Sequence, residues 1–149
     1  MEHACVFSNT GADIQFSEAV KLLDVTLDTS LSFDQQVTNV VHACNFHLRS
    51  LRHLRPSLTF KSAKSMATAI IGARIYYCNG TMELNLNHLQ EVLNSTARIV
   101  HQASFQTSAM ARRQQLHWLA IRQRITYKLA TLTFKAKYCR TPLYLHEQL

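Results

Sequence analysis

Residues 118–140, WLAIRQRITYKLATLTFKAKYCR, decide how the chain is read. Ile121, Ile125, Leu129, Leu132 and Ala136 recur at three- and four-residue spacing, which aligns them on one stripe of an α-helix and predicts a buried face. Arg124, Lys128 and Lys135 form a cationic ridge beside that stripe, and Tyr127, Phe134 and Tyr138 form an aromatic line on its far side. A helix patterned in this way can pack into a bundle through one face and still turn a cationic one to a polyanion.

Working outward, the same periodicity predicts helices in both directions. A short helix to about residue 116 carries Arg112 and Arg113, after a polar break at residues 104–108. Before it, a helix over about 87–102 has Leu89, Val92, Leu93, Ala97 and Val100 inward and Arg98 on its flank. A helix over about 60–78 starts at the N-cap Thr59 and ends at Asn79-Gly80, with Ala63, Met66, Ala67, Ile70, Ile71, Tyr77 and Cys78 inward. Arg74 falls within that apolar stripe, so Glu91 or Glu83 is expected to meet it. The first helix opens on Ser32 with Gln35 as a capping box, and Val37, Val40, Val41, Cys44, Leu48 and Leu51 line its inner face to about Leu54, where Pro56 stops it. Pro142 starts a last turn.

Ahead of the helices, GADIQF (11–16) and VKLLDVTLD (20–28) read as two strands of one hairpin. An isolated hairpin is marginal in water, so it either packs on the helices that follow or is the remnant of a larger sheet. Residues 1–10 show no pattern and are expected to be poorly ordered. The predicted fold is mainly α, a short N-terminal β-hairpin followed by a bundle of about five helices, divided at about residue 30 into 1–30 and 31–149.

Composition agrees with that class. The 149 residues are 47% hydrophobic, enough for one domain with a core, and 3 Gly with 2 Pro leave little material for tight hairpins or Gly-rich phosphate loops. The net charge of +7 is unevenly spread. Residues 1–48 set Lys21 against Glu2, Asp13, Glu18, Asp24, Asp28 and Asp34, for −5, whereas residues 49–149 set fifteen Lys and Arg against Glu83, Glu91 and Glu147, for +12. That asymmetry points to nucleic acid, an acidic membrane surface or an acidic partner.

Cys5, Cys44, Cys78 and Cys139 form no C-x-x-C pair, and Cys44 and Cys78 sit in apolar stripes, so buried thiols rather than a disulfide framework are expected. The N-terminus shows no basic start followed by an apolar run, and no segment reaches the length of a membrane span. The expected location is intracellular, nuclear or cytoplasmic, without secretion. Asn79 and Asn94 begin N-x-[ST] sequons that carry no meaning in such a compartment.

Catalytic chemistry is not visible. The four aspartates all lie before residue 35 and none is adjacent to another, so the clustered carboxylates of a two-metal site cannot be assembled. Gly11, Gly72 and Gly80 build no phosphate loop, and there is no G-x-S-x-G elbow. His42, Cys44 and His47 lie close in sequence, but at i, i+2 and i+5 on a helix they point to different sides. No catalytic residue, metal, cofactor or small-molecule substrate is assigned.

Three motifs resemble one family. The run GADIQFSEAVKLLDVTLDTSLSFDQQVTNVVHACNFHLRSLRHLRPSL (11–58) is similar to the end of the palm and the start of the thumb in reverse transcriptases of LINE-type, non-LTR retrotransposons. There a strand K-L-L-G-V-T-L-D precedes helices with the pattern N-F-H-L-R-x-L-R-H. RIYYCN (74–79) resembles the family's R-L-D-Y-C-N, and LHWLAIRQRITYK (116–128) resembles L-H-W-L-P-I-R-Q-R-I-x-Y-K. The resemblance covers nearly all of residues 11–149. It implies that the metal-binding Asp-Asp strand of the palm would lie before Met1, that residues 20–28 correspond to the primer grip, and that the helices correspond to the thumb, which tracks the template-primer duplex. Asp24 stands where the family has Gly, Tyr76 where it has an acidic residue, and Ala120 where it has Pro. These departures suggest a decayed or truncated copy.

The expectation is thumb-type, sequence-independent binding of an RNA–DNA duplex, with Arg49, Arg52, Arg55, Arg112, Arg113, Arg122, Arg124 and Lys128 on phosphates and Lys21 in the strand that matches the primer grip. A solvated helical face accounts equally well for any one of these charges, and a second packing face accounts for the aromatic line. The alternative is an orphan helical domain acting as a protein-interaction module, with a missing palm as its natural partner and apolar surface left exposed on the hairpin and the first helix.

Overall fold

A computed structural model describes residues 7–9, 12–14, 19–22, 25–30, 33–76 and 83–147. Strands β1 (Phe7–Asn9) and β2 (Ala12–Ile14) pair antiparallel, and so do β3 (Ala19–Leu22) and β4 (Val25–Asp28). The helices are α1 (Asp34–Leu54), α2 (Phe60–Ala67), α3 (Ala73–Tyr76), α4 (Glu83–Val100), α5 (Ala109–Gln115), α6 (Ile121–Cys139) and α7 (Leu143–His146). The chain is mainly helical, with short antiparallel hairpins before the helices.

The strand pairing differs from the one expected. Residues 20–28 fold back on themselves, with Leu22 opposite Val25, and residues 12–14 pair with 7–9 in a stretch that had shown no pattern. The hairpin of β3 and β4 docks on the first helix: the Thr26 amide donates to Oε1 of Gln36 at 2.9 Å, and Gln36 is buried. A buried amide side chain satisfied in this way ties the sheet to α1.

α1 and α4 form the centre of the fold. Val37, Val40, Cys44, Leu48 and Leu51 of α1 face Leu89, Val92, Leu93, Ala97 and Val100 of α4 in one buried cluster. Asn85 Nδ2 donates to Asp34 Oδ1 at 2.6 Å where both helices begin, and Arg55 Nε donates to the Val100 carbonyl at 2.8 Å where both end. The two helices therefore run parallel, which requires a crossover, and α2 with α3 supplies it. The capping box drawn at Ser32 lies outside the described residues; the N-cap of α1 is Phe33, at φ 60, with Asp34 in the first turn favouring the dipole.

Thr59 caps α2 as expected, its side chain accepting from the Ser62 amide at 3.2 Å. Between α2 and α3, a π-turn spans Thr68–Gly72. Its consequence is visible in the buried residues: Ala63, Ala67, Ile71 and Ile75 repeat every four positions. An α-helix would rotate such a series away from the core, and the wider π-turn holds it in line. Ile75 was not among the expected core residues, Met66 and Ile70 are only partly buried, and Tyr77 and Cys78 lie outside the described residues. Half-buried Arg74 donates to the Ile70 carbonyl at 3.1 Å.

The largest difference concerns α6. Ile121 and Ala136 are buried and Ile125 is partly buried, but Leu129 is 58% exposed and Leu132 38%. α6 meets α4 at its start, where the Ile121 amide donates to Gln90 Oε1 at 3.0 Å, and α7 near its end, where the Ala136 carbonyl lies 3.0 Å from His146 Nδ1. Between these points the Tyr76 ring of α3 meets Lys128, but among the described residues no helix buries Leu129 or Leu132. The helix also starts later than the sequence suggested: Trp118 closes α5 through its amide on the Arg113 carbonyl, and Ala120 is the N-cap.

Candidate nucleic-acid interface

Between Glu91 and Glu147 the sequence holds nine Lys and Arg residues and no carboxylate. The fold gathers part of this charge along two grooves that share no lining residue. The first, of about 410 Å³, runs between α3 and α6. Ile75, Ile121, Ile125 and Leu132 line it together with Arg124, Lys128 and Lys135. Lys128 Nζ stands 3.9 Å from the centroid of the Tyr76 ring, a cation–π contact that fixes the end of a long side chain. Tyr76 thus positions a cation.

At this groove the charge of Arg113 reaches Arg124. Arg124 is half-buried and donates from Nε to the Leu119 carbonyl at 3.0 Å. Burial, and then the charge of Arg113, holds it below the ordinary arginine range, and burial does the same to Arg113. Both stay protonated at neutral pH. Two partly desolvated like charges stabilise any anion that settles beside them. Among the described residues the buried Nε atoms of Arg112 and Arg113 have no hydrogen-bond partner, although Arg112 Nη1 donates to Gln115 Oε1 at 3.1 Å.

The second groove, of about 460 Å³, lies where α1 and α4 end and includes Arg52, Arg55, Arg98 and Phe105. Arg55 is buried: its Nε donates to the Val100 carbonyl and its Nη1 to the Leu58 carbonyl at 2.7 Å, while its own carbonyl accepts from Gln102 Nε2 at 3.3 Å. Arg55, expected as a phosphate ligand, also clamps two chain turns. Sequence reasoning could not separate it from Arg52, because position along a helix does not reveal which carbonyls lie opposite.

The other expected residues are dispersed. Arg49 and Arg52 are exposed near the end of α1, Arg122 is exposed on α6 and Lys21 is exposed on β3; of these only Arg52 lines either groove. Arg98 and Lys135, not among the expected ligands, line the second and first grooves respectively. The aromatic line is real as a surface: Tyr127, Phe134 and Tyr138 are 57–67% exposed, and the rings of Phe134 and Tyr138 lie 4.9 Å apart.

Comparison with family models, with curated proteins and with solved structures returns no match to this chain. Among the described residues no group of three His, Cys, Asp or Glu is placed to hold a metal ion. Among them, too, no helix is long and apolar enough to cross a membrane.

Proposed function

We propose that the helical part of this chain binds a nucleic-acid duplex of the RNA–DNA kind through its phosphates, without reading sequence and without chemistry of its own. The observation that carries the reading is the groove between α3 and α6, where Arg124, Lys128 and Lys135 converge within a 55-residue stretch free of carboxylates. A surface of this kind attracts a polyanion by releasing its counterions, so affinity falls steeply with salt. The resemblance of LHWLAIRQRITYK to the distal region of LINE-type reverse transcriptases supports the same reading, and Lys128 is common to the motif and the groove.

Electrophoretic mobility of an RNA–DNA duplex, measured with purified protein at low and moderate salt, tests it. Retardation at low salt that disappears with added salt is expected. An unretarded duplex at low salt rejects the proposal, and extension of a primer by this chain rejects its non-catalytic part.

A second reading, a protein-interaction module, is favoured by exposed apolar side chains. Val20 on β3 and Phe46 on α1 are 55% and 66% exposed, and Leu143 and Tyr144 of α7 are similarly open. It requires that substitution of Phe46 by Glu abolish capture of a protein partner while leaving the duplex shift unchanged.

A further inference from the structure

The second groove has a feature that duplex binding leaves unused. Phe105, in the loop between α4 and α5, is 83% exposed, so burial does not account for it. Its ring is nevertheless held: Arg98 Cζ lies 4.8 Å from the ring centroid, and Arg98 Nε donates to the Thr107 carbonyl at 3.3 Å, which fixes the guanidinium to the same loop. The guanidinium covers one face of the ring and the exposure belongs to the other. The loop itself is closed by Thr107 donating to the Ser104 carbonyl, so the platform is held by backbone as well as by side chain.

Charge in the groove has one sign. Arg52, Arg55 and Arg98 line it, and none of the described residues that line it is acidic. The carbonyl end of α4, which would repel an anion, is masked: Val100 accepts from Arg55, while Arg98 and Ile99 accept from the amides of Ala103 and Gln102. A planar ring open on one face beside guanidinium groups suits a ligand with both a π-face and a phosphate. Duplex DNA or RNA hides its bases in the stack and presents only phosphates. An unpaired nucleotide presents both.

We propose that the groove formed by Arg52, Arg98 and Phe105 is a subsite for single-stranded nucleic acid, in which a base stacks on the free face of Phe105 and the adjacent phosphate meets Arg52 and Arg98. The subsite extends the nucleic-acid reading above to a second form of the ligand and rests on different residues. Stacking on an aromatic ring is indifferent to base identity, so the subsite accepts any sequence.

Fluorescence anisotropy with two probes separates the claims: a labelled oligothymidylate of about ten nucleotides, within the usual site size of a stacking groove, and a blunt RNA–DNA duplex. Because Phe105 is exposed, Phe105→Ala leaves the fold intact, which circular dichroism verifies. The variant is expected to bind the single strand about tenfold more weakly, on the scale of one lost base–aromatic stack, and the duplex as the unaltered chain does. Phe105→Trp retains single-strand binding and Phe105→Leu loses it, since leucine has bulk without a π-face. Equal single-strand affinity for the Phe and Ala forms, or for the Phe and Leu forms, overturns the subsite, as does failure of the unaltered protein to bind the oligonucleotide. Failure to bind the duplex alone overturns the duplex reading and leaves the subsite standing. A mononucleotide, 5′-thymidylate, added as competitor distinguishes sources: displacement of the oligonucleotide at comparable concentration assigns the groove to free nucleotides and overturns a strand-binding role.

Discussion

The α1–α4 pair and the outer part of α6 are written in the same sequence code and reach opposite ends. Both carry apolar residues every three or four positions. In α4, Leu89, Leu93, Ala97 and Val100 are at most 2% exposed, because α1 lies alongside for its whole length and hydrogen bonds hold the pair at each end. In α6, Leu129 and Leu132 follow the same spacing and stay open because, among the described residues, no helix packs closely over them. Periodicity specifies that a face exists; burial requires a second surface. The fold is accordingly held by α1 and α4, while α6 offers a charged, half-apolar surface, the one proposed above to bind.

The sharpest test of that contrast is a pair of truncations. Leu93→Ala leaves a cavity in the packed centre and is expected to cost about 2–5 kcal/mol in urea unfolding, whereas Leu129→Ala is expected to stay within about 0.5 kcal/mol of the unaltered chain. Comparable losses would mean that α6 is packed along its length. A smaller effect distinguishes the two kinds of arginine. Arg55→Met strips the Val100 and Leu58 carbonyls of their donor and should lower stability by about 1–3 kcal/mol, while Arg49→Ala on the exposed side of α1 should leave it nearly unchanged. Equal tolerance of both would remove the clamp.

Smaller still is the pH response of His101. Burial holds its imidazole below the ordinary value of 6.5, with the charges of Arg112 and Arg55 acting in the same direction and a hydrogen bond to the Arg112 backbone opposing them. The unfolded chain then binds a proton more readily than the folded one. The stability contributed by neutral His101 is whole above pH 6.5 and declines as pH falls from there through the folded value. His101→Gln should flatten that decline in denaturation midpoints; an unchanged slope would assign it to other groups. Cys44 gives a kinetic counterpart. Its burial raises the thiol to about 11, against an opposing pull from Arg74, so thiol reagents should reach exposed Cys139 at once and Cys44 only when the α1–α4 centre opens. Prompt labelling of Cys44 would contradict a closed centre.

What the sequence made legible follows from which signals are local. Thr59 as a cap, Pro56 as a stop and the stripes of α1 and α4 depend on a few neighbouring residues, and the structure repeats them. Features set by distant contacts were not legible. The π-turn at Thr68–Gly72 exists to keep Ile71 and Ile75 on the core side, and no residue within it announces the extra width. Arg55 and Arg52 look alike until Val100 is brought opposite one of them. Phe105 lies in the polar break at 104–108 and Arg98 on a helix flank, and only the fold sets the guanidinium against the ring. The shared groove of Arg124, Lys128 and Lys135 was foreshadowed by their alignment on one helix, but the contribution of Tyr76 needed the fold.

The most direct test of the central claim is the salt dependence of duplex affinity, compared between the unaltered chain and Lys128→Ala. Lys128 is half-buried and contacts Tyr76, so thermal unfolding serves as a control that the fold survives. If the α6 groove holds phosphates, the plot of log affinity against log salt is steep for the unaltered chain, and its slope drops by about one for the variant. A slope that is the same in both proteins, or affinity that does not depend on salt, would contradict it.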